Sequence, residues 1–258
     1  SRFAFTPVPT ATDGTVHVPE GYGWQRLVSW GDALFPEAEG DFDQQTGGSV
    51  AMSDRVFGEN TDGMELFLIG DRQVIAVNHE YTNRRVNLPG TGDGVPRSAE
   101  DVRKLQNLQG VSVFEVAEDG DGWRVVVDSP LNRRITHNTP MRLSGPAAGH
   151  ALLRTEADPT GTRSLGTMNN CGSGRTPWGT YLTCEENWNG YFGSTRAVQD
   201  QKPNQPRDGH ARYGISQAGW GYDYHKWDAR FDTAETPNEP HRVGYVVEID
   251  PADPAAMP

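Results

Sequence analysis

Residues 165–187 read LGTMNNCGSGRTPWGTYLTCEEN and predict a β-hairpin. Two short runs typical of strands, 165–170 and 179–184, flank a segment rich in Gly that has the composition of a turn. The same pattern occurs at 64–69 with 73–80, and again at 111–116 with 123–127. Because paired hairpins are the unit of β-sandwiches and of propeller blades, the chain is predicted to be all-β.

Composition excludes several other classes. The 258 residues include 30 Gly and 18 Pro, too many for a helical bundle. The sequence has no run of 18 consecutive apolar residues, which a membrane-spanning helix would need. Only the segment 99–105 predicts a helix, with Ser98 as its N-cap. Two cysteines cannot form a disulfide framework. The sequence therefore predicts one domain over residues 1–258.

The charge balance bears on possible partners. The chain carries 35 Asp and Glu against 23 Lys and Arg, a formal net charge of −12. A long phosphate backbone would be repelled, so nucleic-acid binding is not expected. The surplus carboxylates indicate either a solvated acidic surface or a protein that binds hard cations through oxygen ligands.

The two ends of the sequence suggest a longer protein. Ser1 to Pro9 has neither the basic start nor the apolar core of a signal peptide, so any targeting segment is expected to lie outside this sequence. The run 244–250 predicts a strand, and the turn residues that follow should lead to a partner strand. The domain is thus predicted to be incomplete at its C-terminal end. The stretch from Ala197 to Pro240 is predicted to be irregular.

Candidate metal ligands lie where strands end. Strand alternation places Asn78 and Glu80 on one face, as an oxygen pair for a hard cation or as a strand end solvated by water. Glu185 and Glu186 are adjacent and should point to opposite faces, so at most one of them serves a given site. Glu248, within an apolar strand, must be exposed at an edge, paired or bound to metal.

The cysteines and arginines permit two interpretations each. A thiolate beside carboxylates fits no zinc-finger spacing and suggests iron or a mixed site at Cys171. From the residues alone, a Cys171–Cys184 disulfide, or two inert buried thiols, is the favoured interpretation. Arg134 and Arg142 are donors of the type that hold phosphate, or else surface arginines.

Four segments together resemble the PhoX family of alkaline phosphatases. They are 78–81 (NHEY), 142–150 (RLSGPAAGH), 171–187 (CGSGRTPWGTYLTCEEN) and 247–251 (VEIDP). The most specific is 171–187, with its glycines, Trp178 and paired glutamates. The resemblance covers most of the chain in the expected order.

This resemblance implies a β-propeller-like monomer, exported through the twin-arginine route to the periplasm or the cell exterior, that hydrolyses small phosphate monoesters. The chain would then cover only the first blades of the propeller. Iron and calcium would be held at the propeller axis by carboxylates and one thiolate. Carried over by position, the ligands are Glu80, Cys171, Glu248 and one of Glu185 or Glu186, with Glu186 preferred. A liganding Cys171 excludes the disulfide, and Arg134 and Arg142 become the candidates for phosphate binding.

Two other hypotheses remain open. A calcium-dependent propeller lactonase or phosphotriesterase would use oxygen ligands without needing a thiolate. A catalytically silent propeller fragment would retain ligand positions without function. Metal content and the effect of replacing Cys171 distinguish the three.

Overall fold

The fold is seen in a computed structural model that describes residues 5–197 and 207–258. Part of the predicted irregular stretch, 198–206, and the first four residues of the N-terminus lie outside these ranges. The strands are β1 (Thr61–Ile69), β2 (Arg72–His79), β3 (Gly110–Asp119), β4 (Gly122–Val125), β5 (Arg133–Ile135), β6 (Pro140–Arg142), β7 (Arg163–Leu165), β8 (Asn170–Arg175), β9 (Tyr181–Glu185) and β10 (Val246–Ile249). The α-helices are α1 (Arg84–Asn87), α2 (Ala99–Asn107) and α3 (Arg207–Arg212), and single 3₁₀ turns occur at Pro36–Ala38, Pro89–Thr91, Ala151–Leu153, Trp188–Tyr191, Tyr224–Lys226, Ala229–Phe231 and Glu239–Arg242.

These strands form three antiparallel sheets. The largest has five strands in the order β1-β2-β3-β4, with β5 paired to β3; the second has the order β10-β9-β8; and the third is the pair β6-β7. The prediction of a β-propeller-like domain is wrong, because the described residues contain no closed ring of blades. Hairpins with short turns were predicted correctly, but hairpins alone do not determine how sheets are arranged around one another.

One predicted strand is displaced. The segment 165–170 was expected to pair with 179–184, but β8 consists of residues 170–175 and pairs with β9, with Arg175 opposite Tyr181. The glycines of β8 belong to the strand, and the connecting turn is the tighter 176–180, closed by a hydrogen bond from Thr176 N to Thr180 O of 3.0 Å. Gly179 has a φ of +95° in this turn, a conformation that suits glycine.

The core lies on both faces of the large sheet. Between this sheet and the three-stranded sheet, Phe67, Val74 and Val113 pack against Tyr181 and Ile249. Burial of each such side chain contributes about 1.5–3 kcal/mol. On the opposite face, the alternate strand residues Val77, Phe114 and Val116 form a second cluster with Leu34 and Phe57, which precede β1. The two sheets are therefore held face to face at β1, β2, β8 and β9.

The predicted helix is confirmed as α2. It begins after Ser98, whose hydroxyl accepts a hydrogen bond from Asp101 N at 3.1 Å, and it packs through Val102 and Leu105 against a cluster that includes Phe231. Within the ranges described, none of the helices has the length and apolar character needed to cross a bilayer.

Candidate metal centre

Two irregular strand segments meet where the sheets touch. The register of β1 shifts between Thr61 and Met64, and that of β8 shifts between Asn170 and Ser173. The segments interlock at Gly63: a Cβ there would lie 2.5 Å from Ser173 Oγ and 2.8 Å from Cys171 O, closer than atoms can approach. Bulges of this kind redirect side chains and are common beside active sites.

Cys171 lies in one of these bulges with carboxylates around it. The thiol is half-buried and free, and Cys184 is also free, so the disulfide expected from the residues alone is not formed. Burial raises the pKa of the Cys171 thiol to about 11, and the neighbouring carboxylates of Glu186 and Asp62 act in the same direction. The thiol is thus held protonated, first by burial and then by the negative charges near it.

Glu80 belongs to the same group. Its side chain is half-buried just beyond the end of β2, and burial raises its pKa, with further increases from the charges of Asp62 and Glu186. Of the predicted ligands, Glu186 is near enough to influence both Glu80 and Cys171 electrostatically. The structure adds Asp62, which was not predicted.

Asp62 could have been found by its sequence context. The dipeptide Asp62-Gly63 is a turn signal that stands immediately before the run 64–69, and glycine within a strand is a mark of a bulge. The exposed Asp62 is carried by that bulge.

Glu185 has a different environment from Glu186. Its Oε2 accepts hydrogen bonds from the backbone N–H of Gly244 at 2.7 Å and Tyr245 at 3.0 Å, and its Oε1 accepts one from Met168 N at 3.2 Å. Burial raises the pKa of Glu185 to about 7 although these bonds favour the ionised form. The carboxylate joins the end of β9 to the loop before β10.

Glu248 and Arg142 line a cavity of about 490 Å³ beside β10. Oε1 of Glu248 accepts hydrogen bonds from Thr180 Oγ1 at 2.5 Å and from Trp178 Nε1 at 2.6 Å, and these bonds lower its pKa. The Arg142 side chain is exposed at the rim. Cys171 is not among the residues that line this cavity, so the structure groups Glu248 with Arg142 and not with the thiol.

Arg134 lies in the interior. Its guanidinium donates to the carbonyl oxygens of Asn107 at 2.6 Å and Gln109 at 3.0 Å and to Ser112 Oγ at 3.0 Å. Burial lowers its pKa to about 9. These bonds tie β5 to the end of α2, and they give Arg134 a structural role in place of an exposed position for a phosphate. Its assignment to phosphate stays a prediction without geometric support.

The donors around Cys171 have the chemistry that a metal ion requires. A thiolate with carboxylates suits iron, and carboxylate oxygens alone suit calcium. In the parts of the chain described here, however, no group of three or more His, Cys, Asp or Glu side chains is already arranged to hold an ion. The types of donor atom suit a cation, but the side chains are not arranged around a common point.

Comparison with known proteins identifies the family. The model of the family described as alkaline phosphatase PhoX matches residues 3–258. The chain belongs to the PhoX family. A solved structure of PhoX from Pseudomonas fluorescens, in complex with vanadate, a transition state analogue, superposes with a TM-score of 0.90 at 46% sequence identity. No curated protein matches the chain.

The extent of the PhoX match corrects a further prediction. It covers 98% of this chain, so the similarity is not confined to a first set of blades. It covers 43% of the Pseudomonas fluorescens chain, so this chain spans less than half the length of that relative. The PhoX resemblance inferred from segments 78–81, 142–150, 171–187 and 247–251 is confirmed.

Proposed function

We propose that this protein is a metal-dependent alkaline phosphatase that hydrolyses phosphate monoesters to an alcohol and inorganic phosphate. The observation that supports this most directly is the grouping of Cys171 with Glu80, Glu186 and Asp62 in a chain of the PhoX family. The vanadate complex of the Pseudomonas fluorescens relative agrees with phosphoryl chemistry.

The electrostatics of this group explain why a metal is needed. The pKa values of Glu80 and of the Cys171 thiol are both raised, partly by negative neighbours, which means that the site repels additional negative charge. A phosphate monoester dianion would be repelled in the same way. Bound cations, for which we propose iron and calcium, would neutralise the carboxylates and the phosphate and stabilise the charge that develops on the leaving oxygen.

The residues have separable roles in this proposal. Cys171 would hold iron, and Glu80 and Glu186 would supply oxygen ligands, with Asp62 beside them. Cys171 would bind iron as the thiolate, so metal binding would release the thiol proton. Export of the protein, its monomeric state, and roles for Glu185, Glu248, Arg134 and Arg142 stay predictions.

Metal analysis and turnover test the proposal together. The purified protein should contain iron and calcium and should hydrolyse p-nitrophenyl phosphate at alkaline pH in a calcium-dependent way. Cys171→Ser should lose iron and activity. Cys184→Ser is the matched control, because it removes the other free thiol, which is exposed, and should retain both.

Three outcomes would contradict the proposal. A protein that binds neither metal would favour a silent fragment. Calcium-dependent hydrolysis of lactones or phosphotriesters, with no loss in Cys171→Ser, would favour the lactonase hypothesis. Equal loss of iron in the two cysteine variants would show that Cys171 is not a specific ligand.

A further inference from the structure

The side chain of Asn78 connects the two sheets at the bulge of β8. Its Nδ2 donates to the carbonyl oxygen of Cys171 at 2.9 Å and to that of Gly172 at 3.2 Å. Asn78 is fully buried on β2, so these bonds are shielded from water. A single amide thus contacts both residues that the bulge removes from regular pairing.

The orientation of this amide is fixed by Tyr181. The hydroxyl of Tyr181 donates to Asn78 Oδ1 at 2.8 Å, and it also lies 2.9 Å from Gly63 O, in the facing bulge of β1. Tyr181 is itself fully buried. If the amide were rotated by 180°, its oxygen would face two carbonyl oxygens and its NH₂ group would face the tyrosine, so only one orientation satisfies all the partners.

The sequence left open whether Asn78 and Glu80 are an oxygen pair for a cation or a solvated strand end. The structure excludes the use of Asn78 as a ligand without rearrangement, because Oδ1 is occupied by Tyr181 and both N–H groups are directed at the Cys171–Gly172 backbone. Asn78 and Glu80 lie on the same face of the chain. Asn78 lies under the bulge of β8, whereas Glu80 lies just beyond the end of β2.

We propose that Asn78 is a positioning residue that holds the backbone of Cys171 and Gly172 in the bulge and thereby fixes the position of the Cys171 thiol. Tyr181 supports it by fixing the amide. The relevance of Asn78 to catalysis rests on the proposed function. Its effect on the position of the Cys171 thiol does not.

Alkylation of Cys171 in the metal-free protein tests the proposal independently of activity. The Cys184→Ser background leaves one thiol, and the rate of its reaction with iodoacetamide is measured with and without Asn78→Ser. Loss of a buried hydrogen bond makes local opening more frequent, so we expect alkylation to become about tenfold faster. The iron content of the loaded protein should fall in parallel.

Asn132→Ser is the matched control. Asn132 is also a buried amide that donates to two carbonyl oxygens, those of Leu34 and Val126, each at 2.8 Å. Asn132 lies against β3 at Glu115, whose backbone N–H donates to Asn132 Oδ1. Its replacement should leave the alkylation rate of Cys171 within about twofold, since opening of one local unit need not open another.

The proposal is overturned if the rate is unchanged in Asn78→Ser, or if Asn132→Ser raises it equally. Should Asn78→Ser not fold, Tyr181→Phe decides, because it removes only the hydroxyl. We expect an increase of about threefold there, less than for the loss of the amide, and no increase would overturn the proposal. Absence of phosphatase turnover in the unmodified protein would instead contradict the proposed function, and the alkylation rates would still be interpretable.

Discussion

Glu185 and Glu186 are consecutive in the chain, and their carboxylates lie in different environments. Glu185 accepts hydrogen bonds from three backbone N–H groups and holds the loop before β10. Glu186 is exposed, and its carboxylate is near enough to Cys171 to raise the pKa of the thiol. Glu185 therefore stabilises the three-stranded sheet, and Glu186 is available to the candidate metal centre.

Replacing each glutamate should separate these roles. Glu186→Gln should reduce iron affinity by about tenfold or more, the scale found for groups around metal ligands, with little change in the free energy of unfolding. Glu185→Ala should instead reduce the free energy of unfolding by about 1–3 kcal/mol, because three N–H groups lose their acceptor. Urea denaturation and metal titration measure the two effects, and a larger loss of iron affinity in Glu185→Ala would contradict the assignment.

Gly63 should tolerate no side chain. In Gly63→Ala the new Cβ would meet Ser173 Oγ and Cys171 O, which forces the two bulges apart. We expect a loss of about 1–3 kcal/mol in the free energy of unfolding, as for other overpacked sites. Gly174→Ala, in the same strand as Ser173, is the control, since no atom lies within 4 Å of its Cβ position. Equal stability of the two variants would show that the bulges do not interlock.

Local elements were predictable from the sequence, and their assembly was not. Alternation gave the hairpins of β1 with β2 and β3 with β4, and Ser98 marked the start of α2. The glycines of β8 were assigned to a turn because their composition is that of a turn. In the structure, Asn78 and Gly63 on neighbouring strands stabilise an extended conformation there, and such tertiary contacts override local preference.

The candidate site was predictable to a similar degree. Glu80, Cys171 and Glu186 were identified by resemblance, and in the structure the charge of Glu186 acts on both of the others; their role as metal ligands stays a prediction. Asp62 was missed because its position depends on a register shift in β1, which strict alternation does not anticipate. Arg134 was proposed to bind phosphate from its residue type alone, and only the fold shows that its partners are the carbonyl oxygens of Asn107 and Gln109.

Asp62→Asn should lower the pKa of Glu80. The negative charge of Asp62 is one of the causes that raise this pKa, after burial and ahead of Glu186. A carboxyl-detected NMR titration of the metal-free protein measures the change, and Asp71→Asn in the exposed β1–β2 turn is the control. If both variants leave the Glu80 titration unchanged, Asp62 is not part of this group.

Asp158 should stabilise the fold in a pH-dependent manner. Burial raises its pKa, but hydrogen bonds from Thr160, Arg163 and Arg242 outweigh this and lower it well below 3.8. Its contribution is therefore fully present above the unfolded pKa of 3.8 and is lost as the pH falls through the folded pKa.

Asp158→Asn should accordingly reduce the free energy of unfolding by about 1–3 kcal/mol at neutral pH, where the buried donors lose a charged acceptor. The difference from the unmodified protein should shrink as the pH falls below about 4, because the carboxylate of the unfolded chain is then protonated while the native one still is not. Denaturant unfolding at a series of pH values measures this. Asp121→Asn, in an exposed turn, is the control, and a difference that persists at low pH would exclude the charge as the cause.

The paired bulges of β1 and β8 also determine which changes of chain length the site can accept. Each register shift displaces the residues that follow it by one position relative to the partner strand. Deletion of one residue at 61–64 would restore regular pairing and turn Asp62 away from Cys171, although every remaining side chain would be unaltered. In comparisons among relatives, a one-residue gap in β1 or β8 would therefore signal a changed metal centre more reliably than many substitutions would.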